Sequence, residues 1–159
     1  MEIGLIIVSD KGFSNERVDR TGPKMLEYFA SKGYGSYFKL VPDIQGIISD
    51  VIKEFSEIKE IDLIITAGGT GCTDRDVTPE ATIDVVEKII PGISELIRYK
   101  SSEITLNAFL SRGVSGIINK KVVINLPGSP DGAYQTFKIV EPILEHLIDQ
   151  VQNGSKDHK

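Results

Sequence analysis

Four short segments with strand character alternate with helical segments, and this alternation constrains the fold more than any other feature of the chain. The strand segments are Ile3–Val8, SYFKLV at 36–41, Asp62–Ala67 and KKVVINL at 120–126. The first is an unbroken apolar run, typical of a strand buried on both faces of a parallel sheet. We therefore predict an α/β fold, a three-layer α/β/α domain with a mostly parallel sheet. GVSGII at 113–118 and the last segment, joined by a turn at Asn119 and Lys120, are expected to be locally antiparallel.

Apolar residues three and four positions apart mark the helical segments of the first half. Thr21-Gly22-Pro23 opens one helix and Gly33 closes it, because proline suits a first turn and glycine a C-terminal cap. Residues 44–58 form the next helix, with one apolar stripe. The connection before the first helix, SDKGFSNERVDR at 9–20, is predicted to be a polar loop.

The second half of the chain holds three more helical segments. Thr78-Pro79-Glu80 supplies an N-cap, a first-turn proline and an early carboxylate, so a helix is predicted from Thr78 through roughly Ile90. Pro91-Gly92 is expected to break that helix, and another follows over 93–104. The last helical segment, 133–151, contains Pro142, which is expected to kink it or split it in two.

Size and charge argue against several classes of protein. A chain of 159 residues is one ordinary domain, predicted to span 1–152 with a flexible tail over 153–159. A net charge of -5 without a long basic run argues against nucleic acid or an anionic membrane as partner. No segment has the roughly 18 apolar residues of a membrane span. The N-terminus lacks a basic leader, and the single cysteine, Cys72, permits no intramolecular disulfide, so we expect a cytoplasmic protein.

The loops after four of the predicted strands are the richest in Gly, Pro, Ser and Asp: SDK at 9–11, PD at 42–43, GGTG with DRD at 68–76 and LPGSP at 126–130. Ligands of parallel sheets bind beyond the carboxyl ends of the strands, so these four loops are predicted to share one site. GGTG at 68–71 suits an anion, since glycines let backbone N–H groups converge on a phosphate, although an ordinary strand-to-helix turn has the same composition. The loop lacks the Gly-Lys-Ser/Thr end of a Walker A motif, and no G-x-G-x-x-G opens a helix.

Acidic residues close to a predicted phosphate site require an explanation. Asp74 and Asp76 would repel a phosphate unless a cation lay between them, and Mg²⁺ is commonly held by one or two carboxylates together with phosphate oxygens. Alternatively, both are solvated loop charges. Asp43, after the second strand, is a further candidate ligand, and it also suits the N-cap of the next helix.

Other polar residues give weaker indications. Ser129 in LPGSP offers a hydroxyl, and Arg112 is either a cation for an anionic substrate or an ordinary surface residue. Cys72 has no histidine near it in sequence, while His146 belongs to the last helix and His158 to the tail. A histidine-based hydrolase is therefore poorly supported.

The motifs taken together resemble those of a known family. The segments that carry the resemblance are TAGGTGCTDRDVTPEAT at 66–82, IVSDKG at 7–12, VPD at 41–43, FLSRGVSGI at 109–117 and NLPGSP at 125–130. They are similar to the molybdenum cofactor biosynthesis family of MogA/MoaB type, the molybdopterin adenylyltransferases, from about Ile3 to the C-terminal helix. The resemblance implies a three-layer α/β/α homotrimer that catalyses Mg²⁺-dependent transfer of AMP from ATP to the terminal phosphate of molybdopterin, releasing pyrophosphate.

The same resemblance implies roles for individual residues. Asp43 and Asp76 would be catalytic and would bind Mg²⁺ through ATP. Residues implied to bind the nucleotide phosphates are Gly68, Gly69, Thr70, Gly71, Pro127, Gly128 and Ser129, and those implied to bind substrate are Ser9, Asp10, Ser111 and Arg112. The sequence departs from some relatives at Cys72, where they carry proline. It also departs at Ser129-Pro130-Asp131, which end the Pro-Gly loop, the loop that contains Pro127, Gly128 and Ser129.

Two other functions remain open from the sequence. The chain could bind or carry molybdopterin without catalysing transfer, or it could be a structural scaffold, as in eukaryotic fusions of this domain. The absence of a linker or second domain makes the scaffold the weaker alternative. A downstream molybdenum-insertion protein is the expected partner of the enzyme.

Overall fold

A computed structural model describes residues 1–154 and contains one six-stranded sheet with the order β2-β1-β3-β6-β5-β4. The strands are β1 Glu2–Val8, β2 Gly35–Val41, β3 Leu63–Ala67, β4 Lys88–Ile89, β5 Ser115–Ile118 and β6 Lys121–Leu126. Strands β2, β1, β3 and β6 are parallel, while β5 is antiparallel to β6 and β4 to β5. The predicted fold class and the antiparallel pair are confirmed.

Helices cover both faces of this sheet. They are α1 Asp10–Phe13, α2 Thr21–Ser31, α3 Gln45–Glu57, α4 Thr78–Ile83, α5 Pro91–Ser102 and α6 Pro130–Asn153, with a 3-10 helix at Leu106–Leu110. One apolar core lies between the sheet and α2, α5 and α6, and the other between the sheet and α3 and α4. Gly4 of β1 faces the second core, where a β-carbon would lie 2.5 Å from the Phe55 ring. Glycine there lets α3 pack closely on the sheet.

The segment after Thr78 differs most from the prediction. Helix α4 ends at Ile83 instead of continuing to about Ile90, and Lys88–Ile89 forms the edge strand β4. The backbone N–H of Glu87 donates to Ile117 O at 2.7 Å, and that of Ile90 donates to Ser115 O at 2.8 Å. Pairing with the open edge of β5 therefore prevails over the local helical preference.

Four smaller predictions also differ from the structure, wholly or in part. The N-cap of α4 is Val77 instead of Thr78, and Pro91 begins α5 instead of only breaking a helix. The predicted polar loop at 9–20 contains the one-turn helix α1. Pro142 does not split α6: Lys138, whose carbonyl loses the usual i+4 partner, and Pro142 itself are both exposed, so water can satisfy that carbonyl.

A tight turn joins β5 to β6, and α6 ends the described part of the chain. Asn119 and Lys120 have φ of 47° and 59°, as expected for the central residues of a type I′ turn. Helix α6 includes Asn153, and residues 155–159 of the predicted tail lie outside the described residues. Within residues 1–154, no helix is both long and apolar enough to span a bilayer.

Candidate functional site

The carboxyl ends of the four parallel strands meet at a cavity of about 730 Å³, here called the carboxyl-edge cavity. The predicted site residues that line it are Ser9, Asp43, Gly68, Gly69, Asp76, Gly128 and Ser129. Each of the four predicted loops contributes at least one of them. Segments far apart in sequence are thus brought together, as expected for a parallel sheet with its ligand site at this edge.

The glycine turn at 68–71 requires glycine at its first two positions. Gly68 has a φ of 112°, and a β-carbon there would lie 2.2 Å from the carbonyl oxygen of Val8. Gly69 has a φ of 64°, and its β-carbon would lie 2.4 Å from the hydroxyl of Thr78. A side chain at either residue would collide with neighbouring atoms, so the close packing of this turn depends on glycine.

The Pro-Gly loop packs directly on that turn. A β-carbon on Gly128 would lie 3.0 Å from Gly68 Cα, so the two loops touch through their glycines. The Thr21 hydroxyl, at the start of α2, donates to Gly128 O at 2.7 Å and fixes the loop from the other side. Ser129 accepts from Gly132 N at 3.1 Å and caps α6. Pro127 precedes these residues and does not line the cavity.

Two reciprocal hydrogen bonds join Asp43 and Asp10, each from the backbone N–H of one residue to the carboxylate of the other. The backbone N–H of Asp10 donates to Asp43 Oδ2, and that of Asp43 donates to Asp10 Oδ1, both at 2.9 Å. Asp43 therefore does not cap α3, whose N-cap is Ile44 without a side-chain bond. Burial raises the pKa of the Asp43 carboxyl, and the negative charges of Asp10 and Asp76 act in the same direction.

Asp76 has a more polar environment. Its Oδ2 accepts from the Thr73 hydroxyl at 2.6 Å and from Thr73 N at 3.0 Å. These bonds, the hydroxyl first, and the nearby backbone N–H of Gly71 hold the pKa of Asp76 below its usual value. Asp74 on the same loop is exposed and does not line the cavity.

Arg112 is directed at the back of the glycine turn. Its Nε donates to Gly71 O and its Nη2 to Asp76 O, both at 2.7 Å, and Nη1 forms an ion pair with Glu80. Neither Arg112 nor Ser111 lines the cavity, and the Ser111 hydroxyl accepts from the Gly113 N–H at 3.3 Å. The backbone N–H of Arg112 also donates to Thr70 O at 2.9 Å, so this segment supports the turn from outside.

The cavity also contains charged residues that the sequence analysis did not single out. Arg17 and Arg20, from the loop between α1 and α2, line it together with Asp19. Asp19 accepts from Thr21 N at 2.9 Å and from Gly22 N at 3.1 Å at the start of α2. Within residues 1–154, no carboxylate lies within 4.0 Å of either guanidinium. The only signal was two arginines in a loop predicted to lie at this edge.

A buried polar network supports the site from below. Asn125 of β6 donates to the hydroxyls of Thr66 at 2.8 Å and Thr82 at 2.9 Å and accepts from Val114 N at 3.1 Å. Asn125 is therefore part of the scaffold that joins β3, β6 and α4. The nearby Thr78 hydroxyl, next to Gly69, is buried and has no hydrogen-bond partner among the described residues.

The remaining candidate residues that the structure describes do not line the carboxyl-edge cavity. The thiol of Cys72 is exposed and donates to Leu110 O at 3.3 Å, and His146 is exposed on α6. A second cavity, of about 640 Å³, lies at the opposite edge of the sheet and is lined by Tyr34, Asp62 and Glu141, among others. It contains none of the predicted site residues. His158 lies outside the described part of the chain.

The donor set at the carboxyl-edge cavity is suited to a hard cation that is shared with a ligand. Asp43 and Asp76 each have one oxygen engaged by a loop N–H group, while their Oδ1 atoms accept no hydrogen bond from the described residues. No cluster of three or more His, Cys, Asp or Glu in residues 1–154 has the arrangement of a complete metal site. Two carboxylates that lack further protein ligands match Mg²⁺ completed by phosphate oxygens and water.

Comparisons with known proteins point in the same direction as the geometry. Residues 4–146 match the model of the family described as "Probable molybdopterin binding domain". The molybdopterin adenylyltransferase of Helicobacter pylori is 32% identical over 154 residues, covering 95% of this chain and 88% of that protein. The molybdopterin adenylyltransferase of Escherichia coli K12 is 34% identical over 151 residues, covering 93% and 77%. The crystal structure of the molybdopterin biosynthesis enzyme MoaB from Thermus thermophilus superposes with a TM-score of 0.88 at 39% identity, covering 99% of each chain.

Proposed function

The chain belongs to the molybdopterin-binding domain family, and from that membership we propose that it is a molybdopterin adenylyltransferase. It transfers AMP from ATP to the terminal phosphate of molybdopterin and releases pyrophosphate. Two curated relatives that bear this name align with more than nine-tenths of the chain. The structural observation that carries the proposal is the pair Asp43 and Asp76, placed on either side of a glycine turn in one cavity.

The reaction joins a phosphate oxygen of molybdopterin to the α-phosphorus of ATP and breaks the bond from that phosphorus to the bridging oxygen of the β-phosphate. The electron pair of the broken bond leaves with pyrophosphate, so no side-chain nucleophile is needed. Such a transfer requires the protein mainly to position the reactants and to offset charge. The N–H groups of the glycine turn other than that of Gly68, which donates to Leu126 O, would hold phosphate oxygens beside the attacking group.

Asp43 and Asp76, each with an Oδ1 that accepts no hydrogen bond from the described residues, would hold Mg²⁺. When bound, it neutralises charge on the phosphates and on the leaving pyrophosphate. The depressed pKa of Asp76 keeps that carboxylate ionised and ready to bind a cation. Asp43 lies close to two other acids in a half-buried position, so a cation there relieves an unfavourable concentration of negative charge.

The cavity also offers positive charge for the anionic ends of its substrates. Arg17 and Arg20 line it on the α2 side, next to the start of α6 at Ser129. Guanidinium groups bind phosphate well because their planar donors match its oxygens. We assign the two arginines to substrate binding and Arg112 to support of the glycine turn.

The Asp76→Asn variant tests this function directly. Pyrophosphate release from ATP, Mg²⁺ and molybdopterin should fall by about 100-fold or more, as when one preorganised electrostatic group is lost. Molybdopterin binding, followed by the ligand's intrinsic fluorescence, should remain. Asp50→Asn changes an exposed acid on α3 and serves as the control, with turnover unchanged.

Two results would contradict the assignment. Normal turnover in Asp76→Asn would remove this carboxylate from the reaction. A wild-type protein that binds molybdopterin but never releases pyrophosphate would instead be the non-catalytic carrier of the same family.

We also propose that the protein is a cytoplasmic homotrimer. A surface suited to subunit contact is formed by α5 and the 3-10 helix, where five large apolar side chains are more than half exposed. This 99–110 surface consists of Tyr99, Ile104, Leu106, Phe109 and Leu110. Apolar groups concentrated in this way on a monomer commonly mark a protein interface.

The adenylated product would pass to a molybdenum-insertion protein, because adenylation activates molybdopterin for a later step.

A further inference from the structure

We propose that Asp10 is a positioning residue for Asp43 and does not itself bind substrate. This inference rests on the proposed adenylyltransferase function. The Asp10 side chain accepts from the Asp43 N–H, while the Asp10 backbone N–H donates to one oxygen of the Asp43 carboxylate and leaves the other directed at the glycine turn. Arg75 completes the arrangement by holding Asp10, and it belongs to the same loop as Asp76.

The two carboxylates are locked by a reciprocal pair of bonds. Asp10 and Asp43 are 33 residues apart, and each donates its backbone N–H to the other's side chain at 2.9 Å. Asp10 begins α1, whose N-cap Ser9 accepts from Gly12 N at 3.1 Å. Ser9 N also donates to Val41 O at 2.9 Å, which anchors the residue beside Asp10 to the end of β2. The direction of the Asp10 N–H is therefore set by the fold.

The bond from Asp10 determines which oxygen of Asp43 remains available. Oδ2 is engaged by the Asp10 N–H, and Oδ1 lies 3.0 Å from the position that a β-carbon on Gly69 would occupy. The free oxygen is thus on the glycine-turn side of the carboxylate. The Asp10 side chain accepts from the Asp43 N–H and so fixes the Asp43 main chain. Loss of that acceptor would let the Asp43 loop, and its carboxylate with it, shift away from the proposed cation.

Both oxygens of Asp10 are themselves in use. Oδ1 accepts from the Asp43 N–H, and Oδ2 accepts from Arg75, through Nε at 2.9 Å and through Nη2. Asp10 is also absent from the lining of the cavity. A carboxylate with both oxygens occupied in this way has little capacity left for a substrate or metal ligand.

Arg75 connects the hydrogen-bonded pair of Asp10 and Asp43 to a third loop. It lies between Asp74 and Asp76, so its bond to Asp10 connects the loop of Asp76 to the pair formed by Asp10 and Asp43. The spacing of the two proposed metal ligands then depends on this bridge. Arg75 is 66% exposed and Asp10 39%, so the ion pair should contribute little to global stability. Its effect should be confined to the site.

The test compares wild type, Asp10→Ala and Asp10→Asn in a Mg²⁺ titration of pyrophosphate release from ATP and molybdopterin. Asp10→Ala keeps the backbone bond to Asp43 Oδ2 but removes the acceptor that fixes the Asp43 main chain and the bridge to Arg75. The Mg²⁺ concentration for half-maximal rate should then rise about tenfold or more, as expected when outer-shell support of a metal ligand is lost. kcat should fall, while KM for molybdopterin and the melting temperature stay unchanged. Asp10→Asn should be intermediate, because its amide oxygen still accepts from the Asp43 N–H.

Matched variants separate the positioning role from a general loss of a surface ion pair. Glu54→Ala removes a comparable exposed pair with Lys39 and should leave the Mg²⁺ titration unchanged. Arg75→Ala should shift the titration in the same direction as Asp10→Ala. It also provides the test if Asp10→Ala does not fold.

Three outcomes would overturn the inference. One is an Asp10→Ala variant with the Mg²⁺ dependence and kcat of wild type. Another is a rise confined to the KM for molybdopterin, which would make Asp10 a substrate contact. If Asp10→Ala does not fold, normal Mg²⁺ dependence in Arg75→Ala is the third. A wild-type protein that releases no pyrophosphate would instead refute the proposed function itself.

Discussion

Asp43 and Asp76 carry the same functional group in two different environments. Burial raises the pKa of Asp43 above 3.8, whereas the Thr73 hydroxyl lowers that of Asp76 below the same value. The difference follows from desolvation on one side and hydrogen bonding to the charged form on the other. Asp43 should therefore be the first of the pair to take up a proton as the solution is acidified.

This difference predicts the pH dependence of metal use. The Mg²⁺ concentration for half-maximal pyrophosphate release should rise as the pH falls through the raised pKa of Asp43, because a protonated carboxyl is a poor ligand. Titrations at a series of pH values below neutral measure the effect. Asp43→Asn should be weakly active at best and should lack this pH dependence. A wild-type profile that is flat down to pH 3.8 would contradict the expectation.

The pKa shifts of Asp43 and Asp76 change the pH dependence of the free energy of unfolding in opposite directions. The pKa of Asp76 is depressed, so its contribution to the free energy of unfolding is complete above its unfolded pKa of 3.8 and is lost as the pH falls through the folded value. The pKa of Asp43 is raised, so the folded state holds the proton more tightly. Ionisation of Asp43 therefore lowers stability as the pH rises through the window above 3.8.

At the scale of elements, the glycine turn and the edge strand β4 show what local sequence can and cannot specify. An apolar strand followed by four small residues was enough to predict a turn at 68–71. The end of α4 at Ile83 was not predictable in the same way, because the chain leaves the helix to pair with β5. The free backbone groups of that edge are visible only once the sheet is assembled.

The turn itself gives a stability prediction. Gly68→Ala should lower the free energy of unfolding by at least about 1–3 kcal/mol, because alanine is strained at a φ of 112° and its β-carbon would meet the Val8 carbonyl. Gly46→Ala is the matched control: it lies in α3 with nothing within 4 Å of the new β-carbon, and it should be neutral or stabilising by up to about 1 kcal/mol. Urea unfolding of both variants measures the difference, and equal stabilities would show that the turn adapts to a side chain.

The oligomeric state concerns the molecule as a whole. Ile104 and Leu106 are each 77% exposed, so the Ile104→Asp and Leu106→Asp double variant should disturb the fold of the subunit little. If the 99–110 surface is the subunit interface, the change should convert a trimer into monomers in light scattering after size exclusion. Ile143→Asp, on a partly exposed position of α6, is the control and should keep the trimer. A trimer that survives the double variant would move the interface elsewhere.

Much of the architecture can be read from local patterns. Strand and helix periodicity, the glycine turn and the Asn119-Lys120 turn report how each segment is buried or bent, and these properties repeat over a few residues. The prediction of a parallel sheet placed four loops at its carboxyl edge. Those loops contain Asp43, Asp76, the glycine turn at 68–71 and the Pro-Gly loop. These features agree with the structure because neighbouring residues are sufficient to specify them.

The pairings that complete the site come from the assembled fold. Asp10 meets Asp43 across 33 residues and Arg75 across 65, and Arg112 turns toward Gly71 instead of the cavity. Arg17 and Arg20 reach the cavity because α1 and the loop after it bring them there. A side chain's partner depends on which segments the sheet places side by side, and the short-range periodicity of a sequence carries no record of that.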